Sequence, residues 1–261
     1  MMRRILICLM AVLAVTGPAP AQPTDLVCLS STDERRTGAQ AALLALMGGM
    51  APVFEAFPTY RDRLTTQATD VCLSASLHDA RGYFSPEDNV IILQSDLPRA
   101  VQVAILIHEL RHLEQYATGN CPTDRLAMSE NARATLALEA DASATSLFIA
   151  NALKDAGQPE TWAALAAWPT HKDIAAAFAS ELGASGDPRK ATTAAFAQWY
   201  ASPWRRENYY RASCSSYLDR QDSTKSLPQY NKIAPGFFKR LCRLPDGSPY
   251  DCAEGRDGYR P

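Results

Sequence analysis

The sequence contains no Cys-x-x-Cys pair, which argues against a cysteine zinc ribbon. Positive charge is not in surplus: 26 Lys and Arg stand against 28 Asp and Glu, so the chain has no electrostatic footprint for nucleic acid or an anionic membrane. Beyond residue 21 no apolar run is long enough to span a bilayer. There is no internal repeat of fixed period, and no Pro/Gly/Ser-rich linker marks a domain boundary. Histidine is scarce, with four in 261 residues.

What is present begins with a basic start, "MMRR", an apolar run, "ILICLMAVLAV", and small residues at Ala19 and Ala21. This pattern predicts a secretory signal peptide over residues 1–21, cut after Ala21. Its removal takes Arg3 and Arg4 with it, leaving 24 basic against 28 acidic residues. Six cysteines remain: Cys28, Cys72, Cys121, Cys214, Cys242 and Cys252. An even number in an exported chain implies three disulfides, of which Cys242–Cys252 is the local choice because a Pro-Asp-Gly turn lies between them. The expected location is bacterial, periplasmic or secreted.

At 47% apolar and 21% charged the chain is globular. Residues 37–56 carry helical spacing at Leu43, Leu46, Met47, Met50 and Phe54, weakened by Gly48 and Gly49. Residues 70–77 suggest a short strand, and "GYFSPEDNVIILQ" suggests a β-hairpin or two adjacent strands around the turn residues of "SPEDN". Residues 95–119 form the clearest helix: Ser95 or Asp96 can cap it, Pro98 suits its first turn and Gly119 follows its end. A second long helix is expected from about Ser129 to Ala156, stopped by Gly157 and Pro159. Ala-rich helical segments continue to about Leu218, and from Asp222 the chain turns loop-like. These readings give an α+β, mostly helical fold with a small sheet before the key helix. They divide the chain into a leader (1–21), a core (22–156), a helical region (157–221) and a disulfide-stapled tail (222–261).

The segment "ILIHELRHLEQY" lies on the clearest helix. At 100° per residue, His108 and His112 project from one face, one turn apart, so both imidazoles can address one ion. Glu109 sits to the side of that face, placed to reach a zinc-bound water rather than the ion, as a general base. The competing reading is a solvated, charged helix face. Against it stands the apolar "VAILI" just before the motif, which suggests a buried helix with a polar end facing a cleft. Arg111 stands where zinc peptidases usually have an uncharged residue, and pairing with an acidic neighbour is its expected role. Donors for an oxyanion could come from Tyr116, His171, Tyr209 or Tyr210, with packing the commoner use of Tyr116 and a surface or capping place that of His171. His78 has nothing near it that makes it a ligand.

"HELRH" resembles the active helix of the zincin metallopeptidases, and "LEADASA" at residues 138–144 looks like the second helix of the branch whose third ligand is a glutamate. "YFSPEDNVIIL" followed by "HELRHLEQ" is also similar to an uncharacterised bacterial group assigned to the zinc metallopeptidases. The resemblance covers about residues 82–150. It implies a Zn²⁺ ion held by His108, His112 and Glu139, a water activated by that ion with Glu109 as base, and a peptide or protein substrate lying along a free strand edge, for which "NVIIL" is the candidate. Glu130 and Asp141 compete with Glu139 as third ligand. Glu130 falls in a first helical turn, where the dipole alone favours an acid. Asp141 is about 200° from Glu139 around the helix and could instead orient a neighbouring group. Ser143 stands where many relatives place an acid. The alternative function is a disulfide-stapled helical binding protein that keeps a metal site without turnover.

Overall fold

The computed structural model describes residues 25–29, 38–67, 69–77 and 80–254. The expected leader and His78 lie outside the described residues. The fold is α+β and mostly helical, with one small sheet. No helix among the described residues is long and apolar enough to cross a membrane.

The sheet has strands β1 (Val27–Leu29), β2 (Asp70–Ser74), β3 (Gly82–Ser85) and β4 (Val90–Gln94), in the order β1-β2-β4-β3. Strand β2 runs parallel to β4, while β1 and β3 are antiparallel to their neighbours. The expected hairpin is therefore present as β3 and β4, with Asn89 at φ 53° in its turn. "NVIIL", however, is not an edge. Strand β4 is flanked on both sides, and its burial follows, with Ile91, Ile92 and Leu93 all at 0% exposure. A run of β-branched and apolar residues without alternation marks a strand covered on both faces, and here it also lies inside the sheet. The edge next to it is β3. Strand β1, too short to carry a periodic signal, is tied to β2 by the Cys28–Cys72 disulfide between directly opposed residues.

Two helices, α1 (Ala41–Gly49) and α2 (Ala51–Ala56), replace the single helix read over residues 37–56, and a third, α3 (Pro58–Gln67), follows them. The breaks fall at Gly48-Gly49 and ahead of Pro52 and Pro58, where glycine entropy and the missing proline N–H weaken continuity. Helix α4 (Arg99–Ala117) carries the histidine motif. Neither Ser95 nor Asp96 caps it. Pro98 occupies the cap position, and its carbonyl accepts from Val101 and Gln102 N–H at 2.9 and 3.0 Å. Helix α5 (Met128–Asp155) crosses α4 and is followed by α6 (Glu160–Ala167), α7 (Lys172–Ser185), α8 (Pro188–Ala201), α9 (Pro203–Thr224) and the short α10 (Phe237–Leu241).

Two apolar cores meet along α4 and α5. One packs the sheet and α1–α3 against Leu106, Ile107, Leu110 and Leu113 of α4. The other packs the alanine-lined length of α5 against Phe178, Phe196 and Trp199 of the later helices and against Leu241, Leu244 and Tyr250 of the tail. Alanine on α5 lets the neighbouring helices approach closely, and the large rings opposite fill the space. The Cys242–Cys252 bridge forms as expected. The expected third bridge does not include Cys214, whose thiol is free.

Gly82 on β3 lies directly under α4. A Cβ there would stand 2.6 Å from Ile105 Cγ2, 2.9 Å from Leu93 Cδ2 and 3.1 Å from the Ile92 carbonyl. Gly82→Ala should therefore lower unfolding free energy by about 1–3 kcal/mol through overpacking, read as a fall in the urea midpoint. An unchanged midpoint would mean that β3 does not sit this close to α4.

Candidate metal centre

The motif is almost wholly buried: His108, Glu109, Arg111, His112 and Gln115 are each at 9% exposure or less, and Glu114 is half-buried. That excludes the solvated-face reading. Polar groups removed from water must find partners, and the partners divide these residues into two sets.

Arg111, Asp141 and Gln115 are fully engaged. Arg111 donates through Nε and Nη2 to the two oxygens of Asp141 at 2.7 and 3.0 Å, and through Nη1 to Glu114 at 2.6 Å. Its Nη2 also reaches the Leu241 and Arg243 carbonyls at 2.9 and 2.7 Å. Asp141 accepts in addition from Tyr250 Oη at 2.6 Å and from Gln115 Nε2 at 2.7 Å. The Gln115 amide donates a second time, to the Leu138 carbonyl at 3.1 Å. Its Oε1 is thereby turned toward His112 Nδ1, 2.8 Å away. This arrangement assigns the proton to Nδ1 and leaves the Nε2 lone pair of His112 facing inward.

Facing that lone pair are acceptors without donors. His112 Nε2 lies 3.0 Å from His108 Nε2 and 3.5 Å from Glu139 Oε1, and His108 Nε2 lies 3.5 Å from Glu139 Oε2. Both Glu139 oxygens are buried without a hydrogen-bond partner. The three residues form a group able to hold a metal ion. Ligand atoms bound to one tetrahedral ion at 2.0–2.1 Å stand about 3.3–3.4 Å apart, close to the spacings found here. Burial keeps both imidazoles neutral by lowering their pKa to about 4, while neighbouring carboxylates act in the opposite direction. Burial raises the carboxyl of Glu139, against a smaller opposing effect of His112. Neutral imidazoles and an unpaired carboxylate fit a divalent cation in both charge and geometry.

Glu109 points to the same region. Its Oε2 is buried without a hydrogen-bond partner, and its carboxyl is held well above the ordinary range, first by burial and then by the Glu139 charge. Of the competing acids, Asp141 is saturated by Arg111, Tyr250 and Gln115. Glu130 pairs with Arg133 at 2.6 Å and accepts from Ile233 N–H at 3.1 Å. Neither converges on the histidines.

A cavity of about 220 Å³ opens beside His108 and Glu109. Two of the four candidate oxyanion donors, His171 and Tyr209, line it. His171 occupies the N-cap position of α7 but makes no side-chain cap bond, contrary to the capping role expected of it. Tyr116 instead packs edge-on against Phe84, with centroids 5.9 Å apart, and Tyr210 does not line the cavity. The residues that sequence reasoning missed are Gln115, Tyr250 and the carbonyls of Leu241 and Arg243. Only Gln115, one turn beyond His112, carried a local signal.

Asp141→Asn removes the fully buried partner of Arg111 and leaves only the less buried Glu114 to balance its charge, so it should cost about 3–5 kcal/mol of stability. Glu130→Gln, at a more exposed pair, should cost under ~1 kcal/mol. Paired urea titrations check both, and equal losses would overturn the ranking. Comparison with known proteins finds no matching curated protein and no matching solved structure. A family model does match, over residues 20–252, described as "Putative metallopeptidase family (DUF6782)". Since that match spans most of the chain, far beyond residues 82–150, the protein belongs to this metallopeptidase family.

Proposed function

We propose that the protein is an exported, zinc-dependent peptidase of the zincin type, with His108, His112 and Glu139 as ligands and Glu109 as general base. The observation that carries this reading is the buried Glu139 carboxylate, which has no hydrogen-bond partner yet stands 3.5 Å from a nitrogen of each histidine. Zinc held there would supply Lewis acidity toward a water and a scissile carbonyl. The remaining work falls to the chain. Glu109 takes a proton from the attacking water at its unpartnered Oε2 and returns it to the nitrogen of the departing amine as the C–N bond breaks. A raised carboxyl pKa suits a group that must both accept and release that proton. Gln115 holds the His112 ring in one orientation. Strand β3 is paired on one side only among the described residues and borders the cavity at Arg81 and Gly82, so a peptide main chain could add along its edge. The Cys28–Cys72 and Cys242–Cys252 bridges support an oxidising compartment, the periplasm or exterior.

Glu109→Gln should retain zinc and fold while peptide hydrolysis drops at least the ~10²–10⁴-fold typical of a general acid–base group. Residual activity near wild type on a cleaved substrate would remove Glu109 from the mechanism. Retained zinc with no hydrolysis by the wild type would favour a binding protein.

Metal binding should also release protons. The buried Glu139 carboxyl holds its proton to a higher pH than a free glutamate, whereas the imidazoles stay neutral down to about pH 4. Apparent zinc affinity should therefore fall as the pH is lowered, starting above the range in which a free glutamate titrates and mainly through Glu139. Calorimetry in two buffers of different ionisation enthalpy reads the released protons directly. A pH-independent affinity with no proton release would exclude Glu139 as a ligand.

A further inference from the structure

The cavity beside His108 and Glu109 is built by two parts of the chain. One side is helix α4, the start of β3, and Ser143 and Ser146 of α5. The other is supplied by Leu165, Trp168, Trp199, Trp204 and Tyr209, from α6, the α6–α7 connection, α8 and α9. Four of those five are aromatic.

The polar groups of the wall are largely spent on the protein itself. Arg205 would make the cavity anion-selective if it were free, but all its donors are used. Nε donates to the Trp199 carbonyl at 2.9 Å, and Nη1 to the Thr170 carbonyl and Asp173, both at 3.0 Å. Nη2 donates to Asp173 at 2.6 Å and to the Gln198 carbonyl at 3.0 Å. Ser146 Oγ is turned back onto the Ala142 carbonyl at 2.8 Å. The His171 ring is held neutral by burial, which lowers its pKa to about 3. Arg81 stands exposed at the mouth and donates to Gln94 Oε1 at 2.9 Å. Away from Glu109, whose Oε2 is unpartnered beside the histidines, the wall is dominated by aromatic faces. Against the aromatic wall an ion would lose its hydration without gaining a partner, whereas a ring would bury apolar area and make edge-to-face contacts.

We infer that this cavity is the specificity pocket, and that it selects a large uncharged side chain, aromatic foremost, next to the bond to be cleaved. The inference rests on the peptidase reading for the position of that bond, because the cavity adjoins His108 and Glu109. The helical region thereby takes part in substrate recognition. Trp168 closes one side of the pocket, and Trp204, 45% exposed, forms the rim.

The test uses zinc-loaded Glu109→Gln protein and five blocked pentapeptides, Gly-Gly-X-Gly-Gly with X as Phe, Leu, Ala, Asp or Lys. Binding is measured by calorimetry, and cleavage by the zinc-loaded wild type is followed by mass spectrometry. The Phe peptide should bind at least ~10-fold more tightly than the Ala peptide, with the Asp and Lys peptides weakest. Trp204→Ala, placed on the Glu109→Gln background, should shrink the Phe-to-Ala ratio by about 3-fold or more. Because Trp204 is at the rim, this variant keeps the core intact, and Trp168→Ala provides a second probe from another element. Equal binding of all five, preference for Asp or Lys, or no binding of any at millimolar peptide would overturn the inference. If the Phe peptide binds selectively but the wild type cleaves nothing, the pocket stands and the peptidase reading fails. If the wild type cleaves all five at similar rates, the peptidase reading stands and the pocket assignment fails.

Discussion

The rest of the site depends on the buried ion pair of Arg111 and Asp141. Two charges taken out of water lose several kcal/mol of hydration each, and mutual attraction repays that only when the geometry is good and the remaining donors and acceptors are filled. Here they are filled. Asp141 is at 0% exposure and takes four hydrogen bonds, and Arg111 adds Glu114 and two main-chain carbonyls to its bidentate contact. The pair joins α4 to α5 and both to the tail, setting the distance at which the two helices cross. That distance decides whether Glu139 reaches the histidines.

The same pair of helices carries a contrasting set of groups. Two residues along α5 from the saturated Asp141 lies Glu139, with both oxygens unpartnered, and two residues before Arg111 on α4 lies Glu109, with one oxygen unpartnered. Buried carboxylates left without donors destabilise a fold. They persist here within one small region, while the other charged residues of the buried set, Arg111, Asp141 and Arg205, are closely partnered. Among the buried carboxylates, this unevenness sets Glu109 and Glu139 apart from Asp141.

Much of this was legible in the sequence, for reasons that differ by element. The 3.6-residue period put His108 and His112 on one helix face, the resemblance to the zincins supplied Glu139, and the β3–β4 hairpin followed from its turn residues. Arg111 was expected to pair with an acid, and Asp141 to orient a neighbour; both do. What stayed hidden depends on contacts between residues far apart in the chain. Strand order is one example: β2 and β4 are parallel neighbours across an intervening β3, so no local pattern could reveal that "NVIIL" is internal. The clasp by Tyr250 and by the carbonyls of Leu241 and Arg243 is another, because a main-chain acceptor has no residue signature. His171 misled for the same reason. Its place at a helix start suggested capping, while its ring lines a cavity assembled from several helices and a strand.

The clasp of Arg111 by the tail bears on the order of events in biosynthesis. The carbonyls that receive its Nη2 belong to residues 130 and 132 positions further along the chain, and Tyr250, which caps Asp141, comes later still. A ribosome delivers the histidine helix long before any of these. Until they arrive, the guanidinium that spaces α4 from α5 lacks part of its shell, and the helices have less reason to lock at the separation that brings Glu139 to His108 and His112. The Cys242–Cys252 bridge, which closes the loop carrying Tyr250, adds an oxidation step to the same sequence. The order of the chain thus places completion of the Arg111–Asp141 clasp, on which the approach of Glu139 to the two histidines depends, after delivery of the tail.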